Sequence, residues 1–319
     1  MTTNVAVLSS ALYFSASDLS DLDTLLVSLP PEADVHLLDP EVDGLAQILA
    51  ALEGRTGLGA IQVVTHGASG RVDLGSLTLD GAALEARAED LAALGEHLNE
   101  DGDILLYGCD VAAGDSGAAF IARLAELTGA DVAASIDLTG AASLGGDWEL
   151  EAQTGLIESA PVAPTDWNGT LFSFGGYNFQ SVQSGALTTS DPLNDFRAGC
   201  YWDRYVLNGV ANGTTVAIYM GDSVLDDYLQ IERGGTVIRE DDDSGDGERS
   251  YDAFLSWSYQ SGDVIRATSY STAIPTGSYN LYFSVGTPTD IGDDPPPPAN
   301  VPPTFGSPTY YGNSYVSDT

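Results

Sequence analysis

Ala60-Ile-Gln-Val-Val-Thr-His66-Gly67 and Asp103-Ile-Leu-Leu-Tyr-Gly-Cys109-Asp110 are the two stretches whose reading decides the fold. Each is a short apolar, β-leaning run that ends in a reactive side chain beside glycine. A strand buried on both faces of a parallel sheet looks like this, and its carboxyl end is where open α/β sheets place their sites. The chain has three His and two Cys, and one of each stands at these two strand ends.

Working outward, Val5 to Phe14 reads as a first strand. Ser17-Asp18 reads as the cap of a helix that carries Leu19, Leu22, Leu25, Leu26 and Leu29 at helical spacing and stops at Pro30-Pro31. Ala33 to Leu38 reads as a second strand, and Asp43-Gly44 opens a helix through Leu52. The alternation βαβαβ implies a parallel sheet with right-handed crossovers. After Gly67, Arg71 to Leu79 reads as a small hairpin turning at Gly75. Ala82 to Leu98 reads as a helix, Ile104 to Tyr107 as the fourth strand, Ser116 to Thr128 as an amphipathic helix and Asp131 to Asp137 as the fifth strand. Gly145 to Glu158 is expected to form a closing hairpin.

Near residue 165 helical spacing ends and Tyr, Ser, Thr and Gly rise. Runs at Trp202–Leu207, Val216–Met220, Tyr228–Glu232, Thr236–Ile238, Ala253–Ser258, Asp263–Thr268 and Ser278–Val285 have the length and spacing of an antiparallel sandwich or jelly roll. The expected domains are therefore 1–165 and 172–287, followed by a stiff Pro-rich linker at 288–303 and the first strand of a further β module at 304–319. On that reading the chain is the front of a longer protein.

The charge is extreme, with 10 Lys+Arg against 47 Asp+Glu and a formal net charge of -37. Such a surface repels phosphate backbones and excludes nucleic acid as a partner. It also repels anionic lipid headgroups unless a divalent cation bridges them. Its positive readings are solubility at high salt and binding of cations such as calcium; habitat bias in composition is the third. No amino-terminal signal peptide and no membrane-spanning run are visible. The two Cys, Cys109 and Cys200, fall in different expected domains, which argues against a disulfide framework and leaves Cys109 as a free thiol.

A thiol at a strand end next to an imidazole is the recipe for a cysteine nucleophile: the imidazole takes the thiol proton and later returns it. Gly67 lets a substrate approach the backbone. Its N–H and that of Cys109 are the candidate oxyanion donors. The competing reading makes Cys109 a small core residue and His66 a satisfied strand-end histidine. His36 and His97 are assigned to structure or surface.

Thr65-His66-Gly67, Leu74-Gly75, Leu106-Tyr-Gly-Cys109-Asp-Val-Ala, Val132-Ala-Ala-Ser135-Ile-Asp137-Leu-Thr-Gly140 and Gly146-Asp147-Trp148-Glu-Leu-Glu together resemble an uncharacterised domain at the amino terminus of giant bacterial repeat adhesins and RTX-type proteins. That domain is in turn similar to the caspase-like cysteine peptidases, including clostripain-type and separase-like members. The resemblance implies a caspase- or flavodoxin-like parallel sheet with helices on both faces. It implies His66 as base, Cys109 as nucleophile, and a polypeptide substrate that includes the protein's own chain. The Gln-Ala-Cys pattern of caspases is replaced here by Tyr107-Gly108-Cys109, so a non-catalytic copy is the alternative. Ser135 and Asp137 are placed at the rim of the same cleft, with turn capping as their other reading.

Leu225-Asp-Asp-Tyr-Leu-Gln-Ile, Thr236-Val-Ile-Arg-Glu-Asp241-Asp-Asp-Ser244-Gly245 and Thr276-Gly277-Ser-Tyr279-Asn-Leu-Tyr resemble the bacterial pre-peptidase carboxy-terminal domain, a β-sandwich appended to secreted peptidases and adhesins. In that setting Asp226, Asp227, Asp241, Asp242, Asp243 and Asp246 are candidate ligands for Ca2+, with a solvated acidic turn as the alternative. The implied location is secreted or cell-surface, by a route without an amino-terminal signal.

Overall fold

The computed structural model describes residues 11–31, 33–174, 177–179, 181–194, 198–221, 225–242, 252–286 and 304–305. The chain forms two compact units that divide after Asn178. No helix among the described residues is long and apolar enough to cross a membrane.

The first unit holds β1 (Ala11–Ala16), α1 (Leu22–Val27), β2 (Asp34–Leu38), α2 (Gly44–Leu52), β3 (Leu58–Val64), β4 (Gly67–Ala68), β5 (Arg71–Leu74), β6 (Leu77–Asp80), α3 (Gly81–Ala86), α4 (Ala88–Gly95), β7 (Leu98–Tyr107), α5 (Gly114–Thr128), β8 (Asp131–Ala134) and β9 (Ala152–Gln153). Its main sheet runs β2-β1-β3-β7-β8-β9. All neighbours are parallel except β8 and β9. The two decisive runs are its central pair, β3 beside β7, with Val64 opposite Tyr107. A three-stranded antiparallel sheet, β4-β5-β6, extends from the end of β3.

Alternate residues divide the sheet into two faces. Ile61, Val63, Ile104 and Leu106 join the core with Leu45, Ile48 and Leu52 of α2, Leu84 of α3, Leu91 and Leu94 of α4, and Phe120, Ile121 and Leu124 of α5. Gln62, Asp103 and Tyr107 occupy the other face. There the expected second row of helices is largely replaced by an extended segment. Asp103 accepts from the N–H groups of Glu158 and Ser159 at 3.1 and 2.9 Å. Gln62 donates to Ala160 O, and the Tyr107 hydroxyl accepts from Val162 N–H. Pro161 and Pro164 interrupt helix formation in this segment, so its backbone groups are satisfied by side chains reaching out of the sheet.

Several boundaries differ from expectation. Residues 5–10 of the expected first strand lie outside the described residues. Ser17 does not cap α1, because its hydroxyl is spent on Leu38 O; the helix begins after Asp21 with no side-chain cap. The expected helix 82–98 breaks at Arg87, which ties Asp43 to Asp90. Strand five ends at Ala134, and 145–151 is loop rather than hairpin; only Ala152–Gln153 returns to pair with β8.

The first unit ends in a short hairpin, β10 (Ser173–Phe174) and β11 (Tyr177–Asn178), and the second unit holds β12 (Ser181–Leu187), β13 (Trp202–Asn208), β14 (Thr215–Gly221), β15 (Asp227–Arg233), β16 (Thr236–Asp241), β17 (Ala253–Ser258), β18 (Val264–Ser269), β19 (Gly277–Val285) and β20 (Thr304–Phe305). Two antiparallel sheets, β12-β19-β14-β17 and β16-β15-β18-β13-β20, contribute to one apolar core. Thr304–Phe305, expected to open a further module, pairs with β13. The Pro-rich linker lies outside the described residues.

Within this core Tyr279 donates to Asp203 at 2.6 Å and shares a 2.6 Å hydrogen bond with Tyr205. Burial pushes the Asp203 carboxyl above its ordinary value of 3.8. The fold therefore binds that proton more readily than the unfolded chain does. The resulting stability is complete below about 3.8 and is lost as pH rises through the raised value. Asp203→Asn keeps an acceptor for Tyr279 and should flatten this slope, which amounts to about 1.4 kcal/mol per pH unit within the window. Urea unfolding at a series of pH values reads it, and a variant profile parallel to wild type rules the assignment out.

Candidate functional site

The site grows from the carboxyl ends of β3 and β7. Thr65 N–H continues the ladder by donating to Tyr107 O at 2.9 Å. Carried two residues past the Val64–Tyr107 pair, the same backbone register would put His66 opposite Cys109. Their parity matches Gln62 and Tyr107, which puts both on the face away from α2–α5. Cys109 is accordingly absent from the core cluster under those helices, although Val111, past the left-handed turn at Asp110, belongs to it.

Two glycines let the strand ends close on each other. A Cβ on Gly67 would lie 2.6 Å from Val111 Cγ2 and 3.2 Å from Cys109 O, and one on Gly108 would lie 3.2 Å from Thr65 O and 3.3 Å from Gly67 Cα. Any larger residue at either position would force the two strand ends apart.

His66 is 5% exposed, and neither ring nitrogen has a hydrogen-bond partner among the described residues. A histidine kept for structure normally spends at least one nitrogen on a partner. Of the other two, His97 Nδ1 bonds Arg55 O at 2.7 Å, while His36 stacks on Phe14 and its Nε2, 3.3 Å from Asp34, also makes no hydrogen bond among the described residues.

Cys109 is 0% exposed, and its Sγ donates to Thr139 O at 3.5 Å. A thiol in that bond carries its proton. The residues around it are tightly tied. Asp110 N–H donates to Asp137 O, Ala112 N–H to Ser135 O, and the Thr139 hydroxyl to Gly108 O. α5 begins at Gly114, so its amino end stands a short loop beyond the sulfur.

Of the remaining expected site residues, Ser135 is buried in its own turn, where its hydroxyl bonds Asp137 O and Oδ1 and accepts from Asp137 N–H. That is capping geometry. Asp137 is exposed and stands with Asp147 and Glu151, the ligand oxygens of all three lying within 4.8 Å of one another. Glu151 escaped the sequence reading, and its signal was the alternating acids Asp147, Glu149 and Glu151. Three such oxygens are well short of the six to eight that Ca2+ takes, and each carboxylate already accepts a hydrogen bond from Ser135, Glu149 N–H or Ile136 N–H.

In the second unit Asp226, Asp227, Asp241 and Asp242 do not gather into a three-ligand group among the described residues. Asp227 is fully buried, and Asp241 accepts from Phe254 N–H. Asp243 and Asp246 lie outside the described residues. Two surface depressions, of about 360 and 810 Å3, are lined by neither His66 nor Cys109.

Tyr107, one residue before the Gly108–Cys109 turn, is held protonated by burial. Its ring tilts against Trp148 at 5.9 Å, and Trp148 meets Trp167 edge-on at 5.6 Å. This stack leads from the site to residues 169–172, which no sequence signal had singled out.

Comparison with known proteins agrees in extent with the α/β unit. No curated protein matches the chain. Two solved structures are similar only distantly. Aeromonas hydrophila PliG, a periplasmic lysozyme inhibitor of g-type lysozyme, is 13% identical with a TM-score of 0.24, over 35% of this chain and 91% of its own. Bacillus licheniformis lipase BlEst2 in its propeptide form is 11% identical with a TM-score of 0.25, over 88% of this chain and 75% of its own. At those scores neither bears on the fold. A family model matches residues 12–171, from the first described strand into the segment beside Gly67. With half of its length so matched, the chain belongs to the family described as Domain of unknown function (DUF4347).

Proposed function

We propose that the α/β unit is a caspase-like cysteine endopeptidase in a closed, resting state. It acts on polypeptide, its own chain included, at the head of a larger secreted or surface-displayed adhesin-like protein. The second unit is read as the appended pre-peptidase-type sandwich. The observation that carries this reading is the His66 imidazole, buried at the end of β3 with neither nitrogen partnered among the described residues. A buried polar group left unpaired is destabilising, and one that persists calls for a role outside stability. In the reaction His66 accepts the Cys109 proton, and the thiolate attacks a peptide carbonyl. The oxyanion is held by Gly67 N–H, and the proton passes to the leaving amine; water then hydrolyses the thioester.

A non-catalytic copy of the same fold, serving as a structural or adhesion module, is the second reading. It is favoured by the sealed sulfur, which is bonded to Thr139 O. Labelling by a peptide-based thiol probe separates the two. For a peptidase, Cys109 is modified at pH 7 at a rate that His66→Gln lowers at least about tenfold, the lower end of what a positioned base contributes. Rates that are equal in the two proteins leave the scaffold.

A further inference from the structure

The N–H that this chemistry needs is already in use. Gly67 donates to Leu171 O at 3.4 Å, and Gly67 and Phe172 pair as a parallel bridge. On its other edge Leu171 N–H donates to Thr139 O at 3.0 Å, the carbonyl that also holds the Cys109 thiol. Gly140 pairs with Thr170 in an antiparallel bridge, and Ala141 N–H donates to Gly169 O at 2.9 Å. Residues 169–172 thus lie extended between Gly67 and the 139–141 segment, hydrogen-bonded on both edges. They are inserted rather than draped, since Leu171 is 0% exposed and Thr170 and Phe172 are buried. The wall is cut to fit them: a Cβ on Gly140 would lie 2.5 Å from Gly169 O.

An extended peptide with one carbonyl on the oxyanion donor and backbone bonds to the cleft wall is how strand-type substrates are held. We propose that residues 169–172 fill the peptide-binding cleft of the His66/Cys109 site as a built-in substrate mimic. A true substrate is then an extended segment with an aliphatic side chain where Leu171 sits, and it enters only when this strap leaves. The inference rests on the peptidase reading for the identity of the cleft. It adds the substrate class and the reason that Cys109 is sealed.

The test uses the full chain and peptide-resolved mass spectrometry of Cys109 alkylation by iodoacetamide. Leu171→Ala should raise the rate at least about tenfold, because it empties the strap's anchor; Phe172→Ala loosens the same strap from its other end and serves if the first variant does not fold. Leu94→Ala, a core truncation in α4, should leave the rate near wild type. An end-blocked peptide with the sequence of residues 168–173 should suppress the gain, and the same peptide with aspartate in place of leucine should not. The proposal is overturned if strap variants label like wild type, if Leu94→Ala matches them, or if the two peptides act alike. His66→Gln on the Leu171→Ala background keeps the two ideas apart. An exposed thiol slowed by that change, with no selective protection by peptide, removes the strap alone; selective protection with an unslowed thiol removes the peptidase alone.

Discussion

Trp167→Ala lowers the stability of the α/β unit by about 3–5 kcal/mol, the range for emptying a fully buried aromatic site. Trp167 is 1% exposed and meets Trp148 in a T-shaped contact at 5.6 Å. Its Nε1 donates to Ser20 O at 2.7 Å, tying residues 162–167 to the turn before α1. Truncation leaves a cavity against Trp148 and frees the Ser20 carbonyl. It also removes the peg two residues upstream of the strap at 169–172. Trp167→Phe separates the terms: it keeps most of the ring contact and loses the hydrogen bond, so the loss should fall to about 1–2 kcal/mol. Denaturant unfolding measures both. A Trp167→Ala loss below about 1 kcal/mol would mean that this covering segment is not part of the cooperative core.

The elements legible in the sequence are those whose burial is symmetric. β3 and the second half of β7, residues 102–107, are buried throughout, so their runs are mainly apolar without strict alternation and announce a parallel sheet. Asp43 before Gly44 announces α2 because the cap is local: its carboxylate accepts Ala46 N–H three residues on. His66 and Cys109 could be found because a strand end beside glycine is a sequence feature. Whether they face each other is a matter of register, which composition does not carry. Hidden elements owe their shape to partners far along the chain. Asn168-Gly-Thr-Leu-Phe carries no strand signal of its own, and Gly67, about a hundred positions away, together with the 139–141 segment makes it a bonded segment. β12, with Ser-Val-Gln-Ser-Gly-Ala-Leu, has little strand propensity of its own and is held by seven register partners on β19. The helix expected over 82–98 fails at Arg87, where ion pairs to Asp43 and Asp90 override local preference.

His66→Leu should raise stability while removing any activation of Cys109. Most substitutions at a buried position destabilise, so the expected sign is unusual and diagnostic. It follows from the unpartnered ring nitrogens: folding strips both of water and offers neither a replacement among the described residues. An unpaired buried polar group is destabilising by about 1–3 kcal/mol, and an aliphatic side chain of similar size avoids that penalty while keeping the packing. The expected gain is about 1–2 kcal/mol, a rise of several degrees in the melting temperature of a unit this size. His66→Gln keeps a polar group in the same place and should show no such gain, although both variants lose the base. A functional group held at the expense of stability gives this pattern, and an ordinary core histidine gives the reverse. If His66→Leu instead destabilises the unit by 2 kcal/mol or more, the imidazole is a structural member of the core and Cys109 has no base beside it.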